Sequence, residues 1–135
     1  MFNDHPTSYA RFAEEPIGWL TTVSGAGKPS TAPVWFYLED DDSITIYSRD
    51  PSLRVRNLAS NSQVTLHLEG DGRGGAIVVA NGRAELDASL PAVTDHPRYL
   101  AKYQSFLDNY GWTAEWFAEN YPATIRMTIS SVVGS

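Results

Sequence analysis

The chain has 135 residues, 42% of them hydrophobic and 12% aromatic, and a formal net charge of −6. That is the size of one globular domain, taken as residues 1–135, with apolar content for one core and too little length for two. The acidic balance argues against a general nucleic-acid binder; the lack of cysteine excludes disulfides, thiolate metal sites and cysteine nucleophiles; no apolar run is long enough to span a membrane and the N-terminus does not resemble a signal peptide, so a cytoplasmic location is expected.

Residues 1–6 look loose. Thr7 to Glu14 predicts a short helix capped by Thr7 or Ser8, with Tyr9, Phe12 and Ala13 on its apolar side and Pro16 as its stop. Ile17 to Val23 is β-branched and aromatic, a strand, and Ser24-Gly-Ala-Gly-Lys-Pro29 is turn chemistry. Thr31 to Glu39 predicts a second strand, with Val34, Phe36 and Leu38 on one face and Pro33, Trp35 and Tyr37 on the other. Asp40 to Asp42 is a solvated turn, and Ser43 to Ser48 a third strand; the short connections make these three an antiparallel meander.

Asp50-Pro51 then predicts a helix over about 51–60, with Asp50 as cap and Pro51 at the first helical position. Ser62 to Glu69 alternates Val64, Leu66 and Leu68 against Thr65, His67 and Glu69, a half-buried strand. Gly70 to Gly75 is a flexible turn, and Ala76 to Leu86 a long strand with one small face: Ala76, Val78, Ala80, Gly82 and Ala84. Tight packing against a neighbour explains such a face, and it would also admit a ligand or another chain. Tyr99, Leu100, Tyr103, Phe106, Leu107 and Tyr110 follow helical spacing over 95–110, and Gly111 is a natural stop. Thr113 to Asn120 predicts a short helix ended by Pro122, and Thr124 to Val133 returns to strand alternation. The sum is six strands and three or four helices, and closure into a small barrel is the economical way to remove the sheet edges.

One stretch carries chemistry. From Tyr47 the third strand feeds the 51–60 helix, and Ser48, Arg49, Ser52, Arg54 and Arg56 stand around the junction. Amides at a helix N-terminus attract anions, and arginine presents a planar fork of donors that suits phosphate. Five of the ten basic residues (Arg49, Arg54, Arg56, Arg73 and Arg83) fall between positions 49 and 83. On a helix Arg54 and Arg56 point about 200° apart, so both reach one phosphate only near the helix end. The alternative is that these arginines are solvated or form weak surface ion pairs.

Other motifs fail. Gly25-Ala-Gly27 lacks the third glycine of a dinucleotide fingerprint, and Gly27-Lys28-Pro29-Ser30 has Thr22 where a P-loop needs glycine. His5, His67 and His96 are scattered, so no metal site is expected. No serine lies in a nucleophile elbow and no carboxylate pair stands out as an acid–base couple, so no catalytic side chain is singled out. Any chemistry would belong to a bound cofactor that the protein positions.

The element order, together with Pro29-Ser-Thr-Ala-Pro-Val-Trp-Phe36, Ile44 to Ser48, Arg54-Val-Arg-Asn-Leu58 and Asn61-Ser-Gln-Val-Thr-Leu-His-Leu68, resembles the pyridoxamine 5′-phosphate oxidase-like split β-barrel superfamily over roughly residues 8–130. Within it, the chain looks most like the small reductases that use the deazaflavin coenzyme F420. Where that family commonly has Lys-x-Arg-Asn-Leu, this chain has Arg54-Val55-Arg56-Asn57-Leu58. The resemblance implies a mainly β, six-stranded antiparallel split β-barrel with peripheral helices, FMN-binding-like, forming a homodimer with cofactor at the interface between barrels.

Carried over by position, Ser48, Arg54 and Arg56 would hold the cofactor phosphate, Arg49 would contact phosphate or tail, Tyr47 would frame the site, and Pro33, Val34 and Trp35 would lie along the ring. Trp35 has the alternative of a barrel or interface aromatic, and Trp112 and Trp116 are assigned to core or interface. The implied activity is hydride transfer from reduced F420 to a small or aromatic acceptor such as an enone, lactone or quinone. An FMN-binding oxidase or flavin reductase is the alternative, and a non-catalytic flavin or deazaflavin carrier a third. Lys28, Arg49 and Arg73 are the candidates for a second basic patch toward an acidic coenzyme tail. The sequence ends at Val132-Val-Gly-Ser135, without the basic or aromatic tail that many relatives carry.

Overall fold

A computed structural model describes residues 2–134. In chain order it contains α1 (Pro6–Glu14), β1 (Gly18–Val23), β2 (Pro29–Val34), β3 (Tyr37–Leu38), β4 (Ile44–Ser48), α2 (Leu53–Ser60), β5 (Gln63–Leu68), β6 (Val79–Leu86), α3 (Pro97–Tyr110), α4 (Ala114–Asn120) and β7 (Ala123–Val133). All strand pairs are antiparallel, in one seven-stranded sheet of order β2-β1-β5-β6-β7-β4-β3. The two outermost strands, β2 and β3, are separated in sequence only by Trp35 and Phe36. A sheet whose two ends are joined by two residues must curl until those ends meet, so the fold is a barrel split at Trp35-Phe36.

The expected second strand, Thr31 to Glu39, is therefore two. β2 pairs with β1 and β3 with β4, so the run serves opposite ends of the sheet and the strand count is seven rather than six. Its side-chain alternation survives the break. Val34, Phe36 and Leu38 are buried in the barrel core with Phe12, Leu20, Ile44, Ile46, Leu66, Ile125 and Met127, whereas Trp35 and Tyr37 pack on the other side. There they meet a second apolar cluster in which Tyr99, Tyr103 and Leu107 of α3 and Phe117 of α4 cover Tyr47 of β4. β4 is buried along its whole length because the barrel core lies on one face and these helices on the other.

Local chemistry explains most element ends. Gly111 adopts φ 69°, the left-handed cap that stops α3. Thr113 caps α4 by accepting from the Trp116 amide. The cap of α2 is Ser52, not Asp50: Ser52 is extended (φ −149°, ψ 161°) and its Oγ accepts the Val55 amide at 3.1 Å, which leaves Pro51 outside the helix, after a cis bond to Asp50. α1 begins at Pro6, and its cap residue, His5, makes no side-chain capping bond, so neither Thr7 nor Ser8 caps it. The long strand begins at Val79 and not at Ala76, which is exposed at φ 53°, and the rest of the small face, Val78, Ala80, Gly82 and Ala84, serves packing. A Cβ on Gly82 would collide with the Thr128 carbonyl of β7, at the point where the β6–β7 register slips. Among the described residues, no helix is long and apolar enough to cross a membrane.

Candidate functional site

β4 carries Tyr47 and Ser48 to the barrel edge, and the chain then turns through Arg49, Asp50 and Pro51 into α2. Ser52 takes the Val55 amide on its side chain and the Arg56 amide on its carbonyl. The amides of Leu53 and Arg54 remain outside the helical ladder, as the first amides of any helix do. Ser48 Oγ lies 3.4 Å from Ser52 Oγ and accepts from Arg54 Nη1 at 2.9 Å. Ser48, Ser52 and Arg54 thus form one polar corner.

Arg54 lines a cavity of about 320 Å³. It is lined by Pro33, Val34 and Trp35 from the end of β2, by Tyr47 of β4, and by Tyr110, Trp112, Phe117 and Tyr121 from α3, α4 and the residues flanking them. Five of the eight residues expected at the site (Pro33, Val34, Trp35, Tyr47 and Arg54) therefore come together, and Ser48 is bonded to one of them. Arg49 stands beside them, its guanidinium 4.6 Å from the centre of the Tyr121 ring. Arg56 is exposed on α2 and lines no part of the cavity, as the helical divergence from Arg54 anticipates. Lys28 and Arg73 line no part of the cavity.

The electrostatics single out Arg54. Burial lowers the pKa of its guanidinium, and among the described residues it forms no ion pair with a carboxylate. A desolvated cation that uses one of its five donors on a serine lacks a counter-charge, and a phosphate would supply it. The residues present fit a phosphate-bearing group with a flat apolar body. Tyr47 plays a different part: its hydroxyl donates to the Pro91 carbonyl at 2.8 Å and burial raises its pKa, so it is a fixed wall and not a proton donor to the cavity.

Trp35 combines both sequence readings. Its indole lies parallel to Tyr103 (4.8 Å between centroids, 6°) and to Phe117 (5.5 Å, 5°), as a packed aromatic would, and it still lines the cavity. Trp112, assigned from sequence to core or interface, lines the cavity too, stacked on Tyr110 at 4.7 Å. Trp116 packs against Trp112 at 4.5 Å without lining it. Ile17, Tyr110, Phe117 and Tyr121 are cavity residues that the sequence reading did not assign. Their signal was the density of rings at Tyr110, Trp112, Trp116, Phe117 and Tyr121, more than two short helix faces need for packing.

An antiparallel barrel interrupted at one point, with helices packed over a cavity beside the interruption, is a split β-barrel. The chain belongs to the pyridoxamine 5′-phosphate oxidase family, whose model matches residues 6–115. No curated protein matches it by sequence. Among solved structures it is similar to the protein Atu2129 of Agrobacterium tumefaciens, of unknown function (TM-score 0.69, 17% identity, 98% of this chain and 56% of that one), so it spans little more than half of that protein's length. It is similar to HutZ, the heme storage protein of Vibrio cholerae (TM-score 0.66, 14% identity, 96% and 92% covered). It is also similar to an F420 reductase (TM-score 0.65, 18% identity, 92% and 94% covered). At these identities the likeness is one of fold.

Proposed function

We propose that this chain is an oxidoreductase that binds F420 and reduces a small or aromatic organic acceptor. The observation that carries the reading is Arg54, a desolvated guanidinium without a carboxylate partner among the described residues, at one end of a cavity walled by Pro33-Val34-Trp35. In this reading Arg54, Ser48 and Ser52 hold the phosphate, with Arg49 at the rim. The backbone of residues 33–35 would bond the polar edge of the ring, and the aromatic side chains from α3 and α4 would keep water from its face. Arg56, exposed on α2, would reach the phosphate only where it sits beyond the helix end. Reduced F420, held there, would supply the hydride for the acceptor's reduction, with the matching proton coming from water. The protein's contribution is position, exclusion of water and a fixed positive charge.

The site is proposed to be completed by a second copy of the chain in a homodimer. A cavity of about 320 Å³ stands at the low end of small-molecule sites, which run about 300–1,000 Å³, so a coenzyme with a long tail extends beyond it.

FMN is the second reading, and the placement of Lys28 and Arg73 favours it. Around the cavity one chain places Arg54, with Arg49 beside it, for a phosphate, and neither Lys28 nor Arg73 lines the cavity to meet the acidic tail of F420. Side-by-side titration of the apo-protein with F420 and FMN, followed by fluorescence, separates the two. Tighter binding of F420 is the expected result; tighter binding of FMN moves the protein to the flavin branch; binding of neither removes the basis for an enzyme.

A further inference from the structure

At the break between β2 and β3 the backbone of Phe36 leaves the strand ladder, and side chains of α3 take it up. The Phe36 amide donates to Tyr103 Oη at 2.7 Å. The Phe36 carbonyl accepts from Lys102 Nζ at 2.8 Å and lies 2.8 Å from Tyr103 Oη, which also reaches the Pro16 carbonyl at 2.6 Å. The Lys102 ammonium stands 4.0 Å from the centre of the Phe36 ring and 5.3 Å from that of Tyr103, within cation–π range of both. Trp35, the residue before Phe36, lies parallel to the Tyr103 ring. Two consecutive residues of α3 therefore hold the backbone and the side chain of the segment that closes the barrel and ends the cavity wall.

A lysine on a helix surface ordinarily extends its charge into water. Here the charge is turned inward, and among the described residues no carboxylate pairs with it. A desolvated charge is costly unless it is hydrogen-bonded. We propose that Lys102, together with Tyr103, is a positioning residue for coenzyme binding: the pair fixes Phe36 and thereby sets the Pro33-Val34-Trp35 wall against which the ring lies. This rests on the coenzyme reading above. Burial lowers the Lys102 pKa to about 8, which leaves the amine mostly charged at neutral pH.

The test separates the ring end of the site from its phosphate end. Wild type, Lys102→Met and Lys102→Arg are titrated with F420, with FMN and with inorganic phosphate. The bound coenzyme's absorption maximum is recorded. Lys102→Met is expected to weaken the coenzyme about tenfold, the scale of one charge-assisted hydrogen bond. It should also move the bound absorption maximum toward that of free coenzyme and leave the phosphate affinity unchanged. Lys102→Arg, which keeps the charge, is expected to recover most of the loss. Unchanged coenzyme affinity in Lys102→Met overturns the proposal. So does an equal loss for coenzyme and phosphate, which marks general loosening, and so does a lack of recovery in Lys102→Arg. Failure of the coenzyme reading has its own signature, wild type that binds neither F420 nor FMN, and the positioning role falls with it.

Discussion

At the scale of single residues, Arg54 and Lys102 are partly buried cations with no carboxylate partner among the described residues, and each leads to a prediction. In the proposed reading the desolvation of Arg54 is offset only when the coenzyme phosphate binds. Arg54→Met should therefore move affinity and stability in opposite directions. Coenzyme binding should weaken by about 1.5–3 kcal/mol, the range of a hydrogen bond to a charged group, while the apo-protein keeps or gains thermal stability. Coenzyme titration and a melting curve of the apo-protein check the two halves. An affinity equal to that of wild type would remove the phosphate assignment. Lys102 gives a dependence on pH. Its folded pKa is about 8, below the ordinary value of 10.5, so between these values the unfolded chain holds more protons than the folded one. Stability contributed by this group therefore rises with pH across that window. The melting temperature of wild type relative to Lys102→Met should climb between pH 8 and 10.5, and a flat difference would contradict the shift.

At the scale of elements, the segment Arg54-Val-Arg-Asn-Leu58 divides its labour by helix face. Arg54 faces the cavity and Arg56 faces solvent, while Val55, Asn57 and Leu58 are buried. Asn57 anchors the helix: its side-chain amide donates to Thr22 Oγ1 of β1 at 3.0 Å, and both residues are buried. Asn57→Ala leaves the Thr22 hydroxyl without that donor, and a buried group left unpaired costs about 1–3 kcal/mol. Urea unfolding should register this as a lower midpoint with an unchanged slope. Coenzyme affinity should fall as well, because α2 carries Arg54.

The same scale shows what local chemistry made legible. The 95–110 helix, its stop at Gly111 and the alternation of the strand from Gln63 to Leu68 follow from periodicity and turn residues, and each forms close to where the sequence places it. The cap of α2 moved from Asp50 to Ser52 because capping needs an extended residue whose oxygen reaches an amide three positions on, and two neighbouring residues both offer a side-chain oxygen. The break in the second strand left little local trace. Trp35 and Phe36 keep the strand alternation, and the nearest strand breaker, Pro33, lies two residues earlier inside β2, where it pairs with Trp19. The hydrogen bonds that make the break tolerable come from Lys102 and Tyr103, more than sixty residues away in the chain.

For the whole molecule, the decisive feature is that β2 and β3 end opposite sides of one sheet. Closure brings the Arg54 corner, the 33–35 wall and the α3–α4 rings around one cavity, which opens to one side of a single chain. Light scattering of the purified protein should give a dimer mass, and coenzyme affinity should fall when the protein is diluted toward monomer; a monomer that binds at full affinity would show that one chain suffices. The polar corner of Ser48, Ser52 and Arg54 was legible because it lies within seven consecutive residues, Ser48 to Arg54, where strand end, turn and helix start are all local events. The ring-lined side was not, since Tyr110, Trp112, Phe117 and Tyr121 reach Trp35 only through the docking of α3 and α4 on β4. By itself the sequence determined most of the strands and helices and brought Ser48, Ser52 and Arg54 to one strand–helix junction, because periodicity, turn chemistry and capping act over a few residues. Only the tertiary structure decided that one strand would serve both ends of the sheet, and which rings would face the charge across the cavity. Those outcomes depend on contacts between distant segments, and no short stretch of chain carries them.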